Sequence, residues 1–323
     1  MDVVPLSLDS PQEHLRAWHR LGADVWREEL PEIDPIGERE SLADLDSDAT
    51  TDRRGLAAID GDDVFAVAVV QLPLLEDLDD VYINVIVDRE RRRRGVGREL
   101  LDAVLDTVAK LGRSRVISDA RLGGPGEAFA AAVGARVTQV DVGSVLDVAR
   151  TDRHELTRHS ACDGDYRLVQ WRDSCPDELV ERFAAARAAM NDAPQGDEEH
   201  DDWQWSGDRV RELEKRRARW GVRSYTTAAV EATSGEVGGF TDLLIVDRPT
   251  TALQEDTGVL RAHRGHGLGL AMKAANLLVL REQEPQITRV ITWNAEGNRH
   301  MRSVNEQLGF EVANKWADLS LKL

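Results

Sequence analysis

Hydrophobic positions along this chain switch between a period of two and a period of 3.6, and the series of switches occurs twice. Val3–Leu8 alternates as a strand, and Leu15, Trp18, Leu21 and Val25 then share one face of a helix over Pro11–Glu29. Asp9-Ser10-Pro11 supplies the helix start. Gly55–Asp60 and Val64–Leu72 predict a hairpin turning at Asp60-Gly61-Asp62. A strand over Val81–Val87 follows, then a helix over Gly97–Leu111 stopped by Gly112, a strand over Arg115–Ser118, a short helix over Gly126–Val133 and two closing strands within Arg136–Val148. The second series runs as a strand over Tyr166–Trp171, a helix over Pro176–Met190 capped by Asp173 or Ser174, and a charged helix over Asp208–Arg219. A hairpin of Arg223–Glu231 and Val237–Val246 turns at Thr233-Ser234-Gly235. A strand over Leu253–Leu260, a helix over Gly269–Glu282, a strand over Arg289–Trp293, a helix over Asn298–Leu308 and a strand region over Phe310–Leu323 complete it.

Two local echoes make this a repeat. Val85-Ile86-Val87 leads into Arg92-Arg93-Arg94-Gly95-Val96-Gly97, and Val259-Leu260 leads through Arg261 into Arg264-Gly265-His266-Gly267-Leu268-Gly269, 172 residues later. Val133-Gly134-Ala135-Arg136-Val137 resembles Leu308-Gly309-Phe310-Glu311-Val312 at an offset of 175. A length of 323 residues holds two domains of ordinary size. The expected division is residues 1–150, a polar linker over 151–164, and residues 165–323, both halves mixed α/β.

Composition narrows the function classes. Apolar residues are 41% and charged residues 31%, as in a folded globular chain. Net charge is −18, with −12 in residues 1–150 and −6 in the remainder. Such a field disfavours nucleic acid and anionic lipid and favours cationic partners, so the arginine run Arg91–Arg94 is not read as a nucleic-acid patch. No apolar run approaches the ~18 residues of a membrane span. Two cysteines, Cys162 and Cys175, make neither a disulfide framework nor a zinc motif. The opening Met1-Asp2-Val3-Val4-Pro5 has no leader pattern, so a reducing cytoplasm is expected. His263 and His266 have no third ligand nearby in sequence, and no metal is expected.

A strand entering R-x-x-G-x-G at the start of a helix is a device for anions. The first helical amides lack intrahelical partners and carry about half a positive charge together, and glycines let the backbone approach a phosphate. The Walker pattern is absent, since no Gly-Lys-Ser/Thr follows. The dinucleotide pattern fails because Leu100 and Met272 stand where its third glycine belongs.

What remains resembles the coenzyme A loop of the Gcn5-related N-acetyltransferases. The second half extends the likeness with Asn294-Ala295-Glu296-Gly297-Asn298 and Asn305-Glu306-Gln307-Leu308-Gly309-Phe310. The chain as a whole is similar to tandem members of that family in the layout of mycothiol synthase. The resemblance implies two domains, each a mostly antiparallel mixed sheet flanked by helices, and acetyl-coenzyme A as co-substrate. It implies a coenzyme-binding set of Val259, Leu260, Arg261, Arg264–Gly269, Asn294 and Asn298 in the second half, and Val85–Val87 and Arg92–Gly97 in the first.

Acetyl transfer to an amine needs a proton acceptor, because an ammonium of pKa about 10.4 is no nucleophile. The family places a carboxylate or a water relay on the strand before the loop. Asp256 is the expected base, with Glu255 on the opposite face by strand alternation; the alternative reading of Asp256 is a strand-edge carboxylate. The corresponding residue of the first half is Asn84, which cannot take a proton. The family's usual acid, a tyrosine four residues before the glycine of Gly-Phe, is replaced by Asn305 and by Ala130. Asn305 either meets the sulfur or substrate, or makes a helix-terminal hydrogen bond. Asn298 reads as a helix cap in any case. A thiol of pKa about 8.5 leaves without an acid. The first half is therefore expected to be catalytically degenerate, binding coenzyme A without turnover or bracing the second.

The acidic run Asp197–Asp202, with Trp203 and Trp205 beyond it, is read either as a selector of a cationic amine or as a solvated loop. The expected function is acetyl transfer from acetyl-coenzyme A to the amine of a small cationic acceptor. A non-catalytic acyl-coenzyme A sensor, a peptide N-acetyltransferase and an unrelated nucleotide-binding module are the alternatives. A tandem repeat can act as its own pseudo-dimer, so a monomer is admissible and the oligomeric state stays open.

Overall fold

A computed structural model describes residues 2–162, 164–194, 196–197 and 200–323. In the first half the elements are β1 (Asp2–Leu6), α1 (Gln12–Glu29), α2 (Glu38–Ala43), β2 (Thr51–Asp60), β3 (Asp63–Pro73), β4 (Asp80–Val87), α3 (Val96–Lys110), β5 (Arg115–Arg121), α4 (Pro125–Val133) and β6 (Arg136–Asp147). Then follow α5 (Arg153–His159), β7 (Tyr166–Arg172), α6 (Val180–Arg187), α7 (Gly207–Arg219), β8 (Arg223–Glu231), β9 (Val237–Ile245), β10 (Thr251–Val259), α8 (Leu268–Gln283), β11 (Arg289–Ala295), α9 (Arg299–Gln307) and β12 (Glu311–Lys322).

The chain forms two compact units that no single cut separates. The first comprises residues up to 141 together with 196–201 and 314–323; the second comprises 142–195 and 202–313. The first unit has the strand order β1-β2-β3-β4-β5-β12, with the beginning of β6 beside β12. The second has β11-β10-β9-β8-β7, with the end of β6 beside β11. Each unit thus takes its closing strand from a distant part of the chain. Where two closing strands were expected within Arg136–Val148, there is one long strand, Arg136–Asp147, which runs on through Asp141, Gly143 and Ser144 although these residues favour turns.

From β1 to β5 with β12, and from β7 to β11, the sheet is antiparallel except at one junction in each unit. β4 runs parallel to β5 for three pairs, Asp80↔Arg115 to Tyr82↔Ile117. β10 runs parallel to β11 for three, Thr251↔Arg289 to Leu253↔Ile291. Beyond those pairs the parallel strands separate, leaving the last residues of β4 and β10 without a paired strand on that side among the described residues. A splay of this kind exposes main-chain amides and carbonyls to a ligand in the middle of a sheet.

Helices cover both faces. In the first unit α3 buries Leu100, Leu101, Val104 and Val108 on β3, β4 and β5, and α1 packs Leu15, Trp18 and Leu21 on the opposite face. In the second unit α8 buries Ala274, Leu277 and Leu280 on one face, and α6 buries Phe183, Ala184 and Ala186 on the other. Burial of one such leucine is worth about 2 kcal/mol, so these helices are fixed by packing more than by intrinsic preference.

Two local readings need correction, and one short helix has no counterpart in the sequence pattern. The helix expected from Pro176 begins at Val180, and neither Asp173 nor Ser174 caps it. Asp173 instead accepts a hydrogen bond from the Ser224 amide, and the Ser174 hydroxyl donates to Glu214. The polar stretch 151–164 contains α5, whose Asp152 cap accepts from the His154 and Glu155 amides. The short helix α2 had no periodic signal, and Ser41 anchors it by accepting the Trp18 indole N–H at its carbonyl, 2.9 Å away.

Candidate active site

The two Arg-x-x-Gly-x-Gly loops, residues 92–97 and 264–269, fold alike. After β4, Arg92 turns back so that its Nε donates to the Val87 carbonyl at 3.0 Å; after β10, Arg264 does the same to Val259 at 3.0 Å. Each arginine also meets a carboxylate from the end of a helical segment on the other face: Arg92 reaches Glu28 at 3.1 Å, and Arg264 reaches Asp192 at 2.7 Å. Arg261 shares Asp192, and the hydrogen bond from Arg261 holds that carboxyl below the usual range. Gly95 and Gly267 stand at the helix N-caps with φ of 88° and 69°, where a side chain would be strained. Gly265 has φ 91°, and its counterpart Arg93 adopts φ 64°. The loops therefore aim the first amides of α3 and of α8 at equivalent places beside the splays. Val85, Ile86 and Val87 lie on the separated part of β4, and Val259 ends the separated part of β10 with Leu260 following. His266 lies in the second loop with its ring 5.2 Å from that of Tyr166. His263 is buried and bonded through Nδ1 to the Tyr166 hydroxyl, which gives it a structural explanation without a metal.

Above the loops the units diverge. β4 pairs with β3 in unbroken register, Asn84 opposite Val69. β10 carries a bulge: Gln254 pairs with Leu243 and Thr257 with Thr241, so Glu255 and Asp256 together oppose Asp242. One extra residue in this strand breaks the alternation that would have sent Glu255 and Asp256 to opposite faces. The bulge is pinned on both sides. The Gln254 amide donates to the Asp242 carbonyl at 2.8 Å and the Thr241 hydroxyl at 3.0 Å, and Thr292 of β11 donates to the Gln254 carbonyl at 3.1 Å.

A charged network surrounds it. Arg187 of α6 donates to Asp256 at 2.6 Å and to the fully buried Asp242 at 3.1 Å. Asp242 also accepts from Thr226 at 2.7 Å and from Arg217 at 3.4 Å. Burial opposes the charge on Asp242, but Arg217 and Arg187 hold its carboxyl below the usual range. Asp256 is raised by desolvation against the pull of Arg187. Glu255 reaches solvent, yet its crowded recess and then the charge of Asp256 push it up to about 7. A carboxylate of that pKa is half ionised near neutrality and suits proton transfer.

The asparagines meet from three elements. Asn305 of α9 is buried and donates through Nδ2 to Oδ1 of Asn294 on β11 at 2.7 Å, and its own Oδ1 accepts from the buried Lys273 of α8. Desolvation pushes the Lys273 ammonium down to about 7. Asn298 caps α9, its side chain accepting from the Met301 amide at 3.2 Å.

The acidic run divides between the units. Asp201 belongs to the first, where it exchanges hydrogen bonds with Asp77: the Asp201 amide donates to Asp77 at 2.8 Å, and the Asp77 amide to Asp201 at 2.9 Å. His200 lies 3.6 Å from Asp77, and Asp80 nearby is gripped by Arg115. Glu198 and Glu199 lie outside the described residues. Trp205 belongs to the second unit and covers Arg187 at 4.0 Å, while Trp203 is largely exposed.

Sequence reasoning passed over Arg187, Asp242 and Lys273. Arg187 and Lys273 sit on helices whose apolar pattern hides a charged residue, and Asp242 interrupts an otherwise apolar strand, which is the one visible signal of the three.

A mixed sheet with one splayed parallel junction, a phosphate loop at its foot and closely equivalent copies in two units define an acyl-coenzyme A transferase fold. Residues 18–123 match the model of the acetyltransferase (GNAT) family. A tandem GNAT protein from the clavulanic acid biosynthesis pathway is similar over 99% of this chain and 98% of its own, at 29% identity and a TM-score of 0.84. A GCN5-related N-acetyltransferase from Sphaerobacter thermophilus shares the fold over 99% of this chain and 95% of its own, at 15% identity and a TM-score of 0.68. No curated protein sequence matches the chain. Residues 18–123 thus form a domain of the GNAT family of N-acetyltransferases, whose co-substrate is acetyl-coenzyme A, and the chain as a whole has the architecture of a tandem GNAT protein. Among the described residues no helix is long and apolar enough to cross a membrane.

Proposed function

We propose that the chain acetylates the amine of a small cationic acceptor, with the chemistry in the second unit. The observation that carries this is the bulge in β10, which sets Glu255 and Asp256 side by side at the splay, one strand-end away from the phosphate loop. In this reading the loop Arg261–Gly269 and the amides that open α8 hold the pyrophosphate, and Val259 and Leu260 flank the arm and thioester. Glu255 takes the proton from the attacking ammonium, directly or through water. Asp256, oriented by Arg187, offers the cationic acceptor a carboxylate oxygen as hydrogen-bond acceptor beside Glu255. Nitrogen attacks the thioester carbon, the carbon–sulfur bond breaks, sulfur leaves as thiolate, which needs no acid, and the second proton of the nitrogen passes to water or to the departed thiolate.

The first unit binds coenzyme A in the same way through Arg92–Gly97 but does not turn over, because Asn84 and Val69 stand where the second unit has its carboxylates. The family model matches the first unit, and that match speaks for ancestry and fold; the acid–base groups are in the other copy. The test is coenzyme A release from acetyl-coenzyme A with a panel of mono-, di- and polyamines, run beside a calorimetric titration of acetyl-coenzyme A. Turnover that survives loss of the first loop and vanishes with loss of the second supports the assignment. Turnover by a variant lacking the second loop sinks it.

A further inference from the structure

The buried chain Lys273–Asn305–Asn294 has an internal control. Strand register equates Arg289 with Arg115, since each opens the parallel junction of its unit, and this places Asn294 at the position of Ala120. The glycines that follow the last helix, Gly309 and Gly134, equate Asn305 with Ala130, and the phosphate loops equate Lys273 with Leu101. All three counterparts are buried, and Ala120 packs with Ala130 where Asn294 bonds Asn305. The fold is thus complete with leucine and two alanines at these places. A buried ammonium and two amides cost desolvation that apolar residues avoid, so packing alone does not account for them.

Their geometry has one direction. In its ammonium form Lys273 only donates, and it then fixes Oδ1 of Asn305 towards itself. The Asn305 Nδ2 then points at Asn294 and fixes Oδ1 of that residue in turn. The Nδ2 of Asn294 is left facing away from the relay, with no partner among the described residues, on the stretch of β11 that has parted from β10. Asn294 is half-buried, so a ligand in the splay can reach it. An asparagine free to flip would offer a carbonyl oxygen there half the time.

We infer that Lys273 is a positioning residue: through Asn305 it fixes the Asn294 amide so that an N–H donor faces a carbonyl of the acyl-coenzyme A arm in the second splay. The inference rests on the reading above that the second unit binds acetyl-coenzyme A. It also predicts that the first splay, lined by Ala120, holds the arm less tightly than the second.

The experiment transplants the first unit's residues into the second. Acetyl-coenzyme A is titrated into the full chain carrying Arg92→Glu, to silence the first loop, alone and with Lys273→Leu, Asn294→Ala, or both, and thermal unfolding of each is recorded. Lys273→Leu should weaken binding about tenfold, the value of one aligned hydrogen bond. Adding Lys273→Leu to Asn294→Ala should change little, since both remove the same donor. Melting temperatures should hold or rise. Because Asn305→Ala alone would strand a buried ammonium, Lys273→Leu/Asn305→Ala is the folding-safe variant for that position and should match Lys273→Leu. Unchanged affinity in Lys273→Leu overturns the inference, as does a lowered melting temperature without loss of binding, the signature of a structural role. If the Arg92→Glu parent itself takes no acetyl-coenzyme A, the functional reading of the second unit fails first and the inference with it.

Discussion

The two units share a scaffold, and the difference that bears most on chemistry is one inserted residue and its surroundings. From β4 to the first phosphate loop the register of the first unit is unbroken, with Asn84 facing Val69. In the second, one more residue lies between the same landmarks, and the pair Glu255–Asp256 faces Asp242. The scaffold's cost in apolar burial is met in both copies, so the extra charge of the second serves something other than folding. A single bulge does two things at once: it turns two consecutive side chains to one side of the sheet, and it sets Glu255 where desolvation first and the neighbouring charge of Asp256 second lift its carboxyl to about 7.

The sharpest way to break the contrast is at that pair. Glu255→Gln should lower kcat by about 10²–10⁴-fold, the usual weight of a general base, with little change in KM for acetyl-coenzyme A. In the wild type, kcat/KM should climb as pH rises through about 7, where Glu255 becomes ionised, and this limb should vanish in the variant. A rise that persists in Glu255→Gln would assign the proton to another group. Asn84→Asp in the first unit should restore nothing, because no bulge supports it.

The next largest effect concerns the network that the first unit lacks. Arg187→Leu removes the guanidinium that bridges Asp242 and Asp256 and leaves Asp242 buried with only Arg217 and Thr226. Breaking a buried pair on one side costs about 3–5 kcal/mol. Urea unfolding should show a loss at the low end of that range, since Arg217 still compensates. Arg187→Leu/Asp242→Val, which restores the first unit's valine, should recover part of it. No loss in the single variant would mean that the network is decoration.

Much of this was legible beforehand, for a physical reason. Loops, caps and amphipathic helices are local, so the two phosphate loops, the Asn298 cap and the hairpins could be read from spacing alone. The bulge was not legible, because alternation is a rule about an unbroken ladder and nothing in Gln254-Glu255-Asp256-Thr257 announces the break. The relay through Lys273 was hidden too. A lysine in a helix is ordinarily a solvated residue, and only the neighbours brought by α9 and β11 reveal it as buried. The shared closing strands were hidden because their partners lie far away in sequence: Asp318 opposes Asp119.

Occupancy separates the units next. Arg92 and Arg264 make the same main-chain bond and differ in their company, one meeting Glu28 and the other sharing Asp192 with Arg261. Each arginine reversed to glutamate should lose one site, because a new carboxylate then faces both the old one and the phosphate. Calorimetry should show two sites in the wild type and one in each variant, with turnover kept only in Arg92→Glu. One site in the wild type, lost only in Arg264→Glu, would reduce the first loop to scaffolding.

The smallest effect tests whether the loops are conformationally the same. Gly265 has φ 91°, and Arg93 stands at the matching position with φ 64°. A left-handed residue that is not glycine costs on the order of 1 kcal/mol. Arg93→Gly removes that strain but adds freedom to the unfolded chain, roughly 0.5–1 kcal/mol in the opposite sense. Stability should therefore change by less than about 1 kcal/mol, whereas Gly265→Arg, which imposes the strain on the second loop, should destabilise by about 1–2 kcal/mol. If the first loop needs the Arg93 charge for the pyrophosphate, Arg93→Gly weakens acetyl-coenzyme A binding at that site while leaving stability nearly unchanged. If stability instead falls by several kcal/mol, Arg93 is held by contacts that Gly265 does without, and the two loops are alike in shape for different reasons.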